Sequence, residues 1–546
     1  MFQLGRFWRT VRWLKPEQVI GRLRFRLQRP RPDLQPAPAR RKACGPWQTP
    51  AARNPSLSDG TQMTFLGESN DFTTVGWDNP ELPLLWRYNQ HYFDDLNAAG
   101  SAQRRSWHVA MLTAWLVANP AGQCTAWAPY PLSLRVVNWV KWWLGGEQPE
   151  GVWLDSLAAQ TRWLVQRLEW HLLGNHLFIN AKALVYAGLF FEGAEADGWL
   201  AEGLRILDRE LQEQFLADGG QFERSPMYHA LALEDLLDLI NIIEHLAAAD
   251  SPARTVLERL RASSALALIW LRAMIHPDGT LSRFNDTAEG IAPALPELER
   301  FAFALEVKAD MPPVSGTLHL QSSGYARMVR GAATLFLDMA PVGPDYLPGH
   351  AHADSLSFEL SLNRRPVIVN RGTSEYGLGP RRQVERGTAA HNTVQVGTEN
   401  SSEVWAGFRV GRRARTSEVR ISEFLATAAH DGYTHLQGRP KHRRQWTLGH
   451  CSLLIEDHLE SPGGQQCQLP AVARFHLHPG LSLVKSEAGW EVMAGKELIA
   501  SAEVLVGSAS VENWQQAMRF GELAPAVTLS VVLHERRSTV RWHWPH

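Results

Sequence analysis

The chain has 546 residues, 45% of them apolar and 20% charged, with 55 Lys and Arg set against 56 Asp and Glu. That is the composition of a soluble globular protein too long for one ordinary core, so at least two large domains are expected. The charge balance gives no reason to expect nucleic acid as a partner, and without a run of about 18 consecutive apolar residues no membrane-spanning helix is expected.

In chain order, residues 1–80 read as a basic arm and linker. The first 42 residues hold twelve Lys and Arg against Glu17 and Asp33. The opening MFQLGRFWRTVRWLKPEQVIGRLRFRL is interrupted by Arg every few residues and lacks the apolar core of a secretory signal. A cytoplasmic location, or a peripheral one at the inner face of a membrane with the arm as the contact, is the expectation. Cys44, Cys124, Cys451 and Cys467 show no CxxC spacing, which suggests neither a disulfide framework nor a thiolate zinc site.

Residues 81–313 carry apolar positions at helical spacing. SWHVAMLTAWLVANP, SLRVVNWVKWWLGG, SLAAQTRWLVQRLEWHLLGN, HLFINAKALVYAGLFFEG, GLRILDRELQEQFL, ALALEDLLDLINIIEHLAAA and RTVLERLRASSALALIWLRAMI predict at least seven consecutive amphipathic helices. Residues 314–546 change to period 2 in short runs such as GYARMVRG, ATLFLDMA, SLSFELSLN, CSLLIEDHL and STVRWHW, with turn residues every 8 to 12 positions. The expected fold is multidomain, α then β: an α-solenoid or (α/α) toroid followed by an antiparallel β-sandwich.

Several polar clusters interrupt these patterns. WRYNQHYFDDL offers rings for stacking on sugars and Asn89, Gln90 and His91 for directional hydrogen bonds, and Trp127, Tyr130 and Arg135 repeat that character. Packing of the same aromatics into a helix start is the alternative, and both readings stand. Asn175 and His176 open a helix, where backbone N–H groups, an amide and an imidazole suit a carboxylate; an N-cap with a core histidine would look the same. Around the next Ser-Pro helix start lie Glu223, Arg224, Tyr228 and His229. For Tyr228 to act as a base, nearby positive charge must stabilise its phenolate, and Arg224 and the histidines are the candidates. In GHAHADSLSFEL, His350 and His352 are expected at the mouth of a strand. His352 and His391, each preceded by Ala, are spaced for a two-strand metal site that lacks a third ligand.

Four separated segments, GNHLFINAKALVYAGLFF, ERSPMYHALALEDLLDL, GHAHADSLSFEL and RGTAAHNTVQVG, together resemble the heparinase II/III-like superfamily of polysaccharide lyases, over about residues 80 to 420 and in the family's order. The resemblance implies an (α/α) toroid joined to a β-sandwich, and β-elimination at a uronic acid of an acidic polysaccharide in the cleft between them. It implies Asn175 and His176 as neutralisers of the substrate carboxylate, Tyr228 as acid and, for one stereochemistry, base, and His350 as the other base. It places Tyr376, Arg382 and Arg386 along the cleft, and His352, Asn370 and His391 at a structural zinc that catalysis does not require. Asn370 stands where the family has an aspartate, which weakens the zinc set. Two other readings remain: a glycoside hydrolase using carboxylates such as Glu223, Glu234 and Asp235, and a non-lytic polysaccharide-binding or exopolysaccharide assembly factor.

Overall fold

A computed structural model describes residues 2–464 and 467–545. The basic arm folds into two helices, α1 (Phe2–Val11) and α2 (Pro16–Leu27), the second opened by Pro16 in its first turn. Both helices are tied to the body. Arg6 and Arg9 pair with Glu403 in the β half, while Lys15 pairs with Glu213 and Glu17 with Arg209 in the helical half. An extended stretch then leads to a small antiparallel sheet of β1 (Leu57–Ser58), β2 (Gln62–Phe65) and β3 (Glu68–Asp71), followed by the single-turn α3 (Phe72–Val75).

The helical half comprises α4 (Leu84–Gln90), α5 (Arg105–Ala118), α6 (Pro129–Leu144), α7 (Gly151–Gln166), α8 (Gly174–Phe190), α9 (Ala194–Gln214), α10 (Pro226–Leu246), α11 (Leu257–Ala273) and α12 (Leu295–Ala304). α8 is buried on every side from Leu177 to Phe190, as a helix apolar all round should be, and it packs on α6, α9 and α10. Between these helices lies a buried ionic core: Lys182 bonds Asp235 and Asp238, Lys141 bonds Asp238, and Arg53 bonds Glu234. Each charge is matched, as burial requires.

The helical run read as reaching Asn175 stops earlier, so the break ahead of the helix that Asn175 and His176 open is wider than expected. α7 stops at Gln166, and the chain turns through Leu173, whose φ is +63°, before α8 begins. The break holds because Glu169, in the turn, is gripped by α8: its N–H donates to Asn180 Oδ1 and its carboxylate accepts from Asn180 Nδ2.

The β half opens with a sequential five-stranded sheet of β4 (Gly316–Leu320), β5 (Tyr325–Arg330), β6 (Ala333–Asp338), β7 (Phe358–Leu362) and β8 (Arg365–Ile368). An eight-stranded and a four-stranded sheet follow, with antiparallel neighbours throughout. One core joins all three sheets, with Leu335 and Leu360 from the first meeting Ile455 and Val540 from the second and Phe475 and Leu529 from the third. The helical half followed by antiparallel sheets is the order that the two hydrophobic periods predict. His350 and His352, however, lie in the loop joining β6 to β7 rather than at a strand mouth, because the strand begins only at Phe358. β7 is buried on both faces, and its inward carboxylate, Glu359, bonds His276 and the N–H groups of Arg283 and Asn370.

Candidate active site

A cavity of about 670 Å³ runs along the seam between the halves. Asn89, Tyr130, Asn175, His176, Glu223, Tyr228, His350 and Tyr376 line it, so all four residues assigned to catalysis share one space. The arm supplies part of its wall through Phe7, Leu14 and Gln18.

α8 delivers the first pair. Gly174 has φ +53°, the left-handed turn that glycine tolerates best, and this turn leads directly into Asn175 and His176. Asn175 Nδ2 donates to the Tyr130 hydroxyl at 3.1 Å, and His176 Nδ1 lies 3.1 Å from Glu169 Oε1. Burial alone would lower the His176 pKa, but the Glu169 charge and hydrogen bond outweigh it and raise the pKa. The site therefore carries an amide donor beside an imidazole biased toward its cation, a pair suited to a carboxylate.

α10 delivers the second pair's phenol. Ser225 caps the helix by accepting from Tyr228 N at 3.2 Å, which fixes Tyr228 in the first turn. The ring lies on His350 with centroids 3.9 Å apart, and the hydroxyl meets that of Tyr376 at 3.2 Å. Burial, aided by Tyr376 and Asp286, raises the Tyr228 pKa well above that of an ordinary phenol. The hydroxyl is therefore a proton donor in the resting site.

His350 is held from the helical half. Asp286, in the segment after α11, takes His350 Nδ1 at 2.9 Å and His352 Nε2 at 2.8 Å, and Arg382 grips both its oxygens, one at 2.7 Å. Burial would raise the Asp286 pKa, yet Arg382 and the two imidazoles bring it well below the usual carboxylate range. An ionised acceptor at Nδ1 places the ring proton there and leaves Nε2 with a lone pair. That atom lies 3.6 Å from Glu223 Oε2. Burial raises the Glu223 pKa, partly countered by His350.

Eight residues expected at the substrate lie elsewhere. Gln90 donates to Gly76 O, buried His91 accepts from Trp115 Nε1, and Trp127 donates to Asn119 O. Arg135 is fully buried, bonding Gln160 and the carbonyls of His91 and Ala126. Arg224 turns away to Ser323 O and Phe222 O, so it cannot stabilise a Tyr228 phenolate. His229 spans Gln221 N and Ala267 O, and Arg386 closes the carbonyls of Ala351, Ala406 and Gly407. In every case but that of His91, which meets an indole, the polar group satisfies backbone, which a local pattern cannot distinguish from ligand binding. Arg382 likewise meets Asp286 rather than the cavity.

Residues 97–299 match the model described as heparinase II/III N-terminus, and residues 312–544 match that of the heparinase II/III-like C-terminal domain. The chain belongs to the heparinase II/III-like superfamily. A heparin-sulfate lyase of Bacteroides stercoris is 24% identical over 267 residues, which cover 46% of this chain and 40% of the relative. FtsZ-localized protein C of Caulobacter vibrioides is 29% identical over 322 residues, 55% of this chain and 52% of that one. The chain thus matches about half or less of the length of these curated relatives. Among solved structures, heparinase III superposes with a TM-score of 0.66 at 16% identity over 89% of this chain and 79% of that one. Heparan sulfate lyase HepC from Pedobacter heparinus gives 0.56 at 17% identity, over 97% and 87%. Both share the fold.

The zinc set anticipated for a heparinase II/III-like chain was His352, Asn370 and His391. The two imidazoles lie 5.2 Å apart between centroids, with His352 Nδ1 and both nitrogens of His391 buried and without hydrogen bonds. His352 Nε2 is on Asp286, and Asn370 Oδ1 already accepts from Asn392 N and Nδ2. Among the described residues no three His, Cys, Asp or Glu side chains converge as ligands. His352 and His391, with their unpartnered nitrogens, are the residues that would hold a zinc ion, and Asn370 brings it no carboxylate; no step of the chemistry proposed below passes through it. The sequence reading left out Asp286 and Glu169, the two carboxylates that orient the site's imidazoles. Their only local signal is a charged residue in an irregular, apolar-flanked segment, FNDTAEG and LEWHLL.

Proposed function

We propose that this protein is a polysaccharide lyase that cleaves a uronate-containing polysaccharide or oligosaccharide by β-elimination in the seam cavity. The supporting observation is the convergence of Asn175 and His176 with Tyr228 and His350 on one space. Asn175 Nδ2 and the His176 imidazolium bind the uronate carboxylate and hold the charge that spreads into it as C5 loses its proton. This electrostatic contribution is the largest, because the C5 proton is otherwise too weakly acidic. His350 Nε2 takes that proton. The electron pair forms the C4=C5 double bond, the C4–O4 bond breaks, and Tyr228 donates its hydroxyl proton to O4. Glu223, beside His350 Nε2, gives the leaving proton a second acceptor within the site.

The test is ultraviolet absorbance of unsaturated products from a panel of uronate polysaccharides, with the parent chain and the Tyr228→Phe and His350→Ala variants. Product from the parent alone supports the reading; folded parent protein silent across the panel refutes it. A second, non-lytic reading draws on one observation: a relative no less similar to this chain than the lyase carries a name that gives a location at FtsZ and no lytic activity. Binding of an acidic polysaccharide without product, unaffected by Tyr228→Phe, would select it.

A further inference from the structure

We infer that the outward face of α2 docks this protein onto an anionic lipid bilayer. α2 meets the body through one narrow seam. Gln18 Nε2 donates to the carbonyls of Leu172 and Tyr346, each at 3.4 Å, and a Cβ on Gly21 would lie 2.8 Å from His171 N. One turn on, Phe25 packs on the His171 ring at 4.3 Å and beneath the Arg167 guanidinium at 3.5 Å. Residues 18, 21 and 25 define the inner face, so Val19, Leu23 and Leu27 fall on the opposite one, with Ile20 at its edge. These four side chains are 49%, 57%, 79% and 51% exposed. Leu23 and Leu27 are the most exposed of them, Ile20 borders a groove shared with Val165 and Trp170, and on the neighbouring helix Leu4 and Trp8 are exposed by 77% and 65%.

The charges sort in the same way. Arg6, Arg9 and Lys15 are used to fasten the arm to Glu403 and Glu213. Arg24, Arg26 and Arg29 are exposed and, among the described residues, pair with no carboxylate. The nearby Glu202 is held instead by Arg205 at 2.6 and 2.8 Å. An apolar stripe bordered by free guanidinium groups is complementary to acyl chains beneath anionic headgroups, where arginine attracts phosphate and the stripe enters the interface. A wholly apolar partner would leave those cations unmatched, and a wholly acidic one would leave the leucines unmatched. Because Leu14 and Gln18 wall the cavity from the same hairpin, docking would set the cavity about one helix diameter, roughly 10–12 Å, from the lipid.

The test uses the full chain in sedimentation with vesicles of phosphatidylcholine alone or with one-third phosphatidylglycerol, at low and high salt. Expected are binding to the anionic vesicles only, weakening with salt, and a loss of about tenfold or more in Leu23→Gln/Leu27→Gln and in Arg24→Gln/Arg26→Gln/Arg29→Gln. Circular dichroism and melting of each variant establish that it is folded. The inference is overturned if the folded parent stays in the supernatant at low salt, or if both variants bind as the parent does. It is equally overturned if the leucine variant abolishes self-association of a chain that binds no vesicles, since the face would then join two copies.

Discussion

Replacing Asp286 by Asn is the sharpest probe of how the site makes a base. The carboxylate accepts from His350 Nδ1 at 2.9 Å and from His352 Nε2 at 2.8 Å, while Arg382 holds both oxygens; Asp286 and Arg382 side chains are both fully buried. The amide keeps the shape but can turn its NH2 toward His350 Nδ1. That would move the ring proton to Nε2 and remove the lone pair that, in the proposed mechanism, takes the C5 proton. By analogy with orienting carboxylates beside other catalytic imidazoles, kcat should fall roughly 10²- to 10⁴-fold, or about 3–5 kcal/mol of barrier, with little change in KM. Stability should fall as well, by about 3–5 kcal/mol, because a buried guanidinium is left without its counter-charge. The two effects separate in the double variant Asp286→Asn/Arg382→Met, which removes the stranded cation. It should recover part of the stability and none of the activity. Initial rates of unsaturated product and denaturant midpoints measure both. A folded Asp286→Asn protein with kcat within threefold of the parent would refute the tautomer argument.

Glu169→Gln should move the basic limb of the kcat/KM profile to lower pH, since Glu169 is what raises the His176 pKa. With its pKa raised by folding, His176 contributes stability that is complete below the ordinary imidazole pKa of about 6.5 and lost as pH rises through the folded value. An unmoved basic limb would count against His176 as the charged neutraliser. Tyr228→Phe should lower kcat at least ~10³-fold while costing no more than about 1 kcal/mol, the worth of one hydroxyl contact with Tyr376, as read by product formation and thermal melting. Gly174→Ala should cost about 1–2 kcal/mol for its left-handed turn alone and more for the added Cβ, which would meet Leu347; a denaturant midpoint equal to the parent's would contradict the strain at this turn.

The change from helical to alternating period was legible because it depends on spacing over many residues, and Asn175, His176, Tyr228 and His350 were legible because four motifs occur in one order. Distance in sequence hid the rest. Asp286 meets His350 across 64 residues and Glu169 reaches His176 over a broken helix, so neither announces its partner. Arg135 was misread for the converse reason: a guanidinium flanked by aromatics looks like a sugar platform, yet it stacks 4.2 Å from the Trp115 ring and satisfies buried carbonyls. The arm's charge was plain from composition, but which arginines are consumed in fastening depends on Glu403, nearly 400 residues away.

The bond from Asp286 to His350 joins a segment of the helical half to a loop of the β half. It makes the proposed proton acceptor an interlock: a partly assembled chain, with either half formed but not yet seated on the other, has the imidazole without the carboxylate that orients it. Reactivity would then be switched on by the last step of assembly, and a nascent or damaged molecule would remain chemically silent.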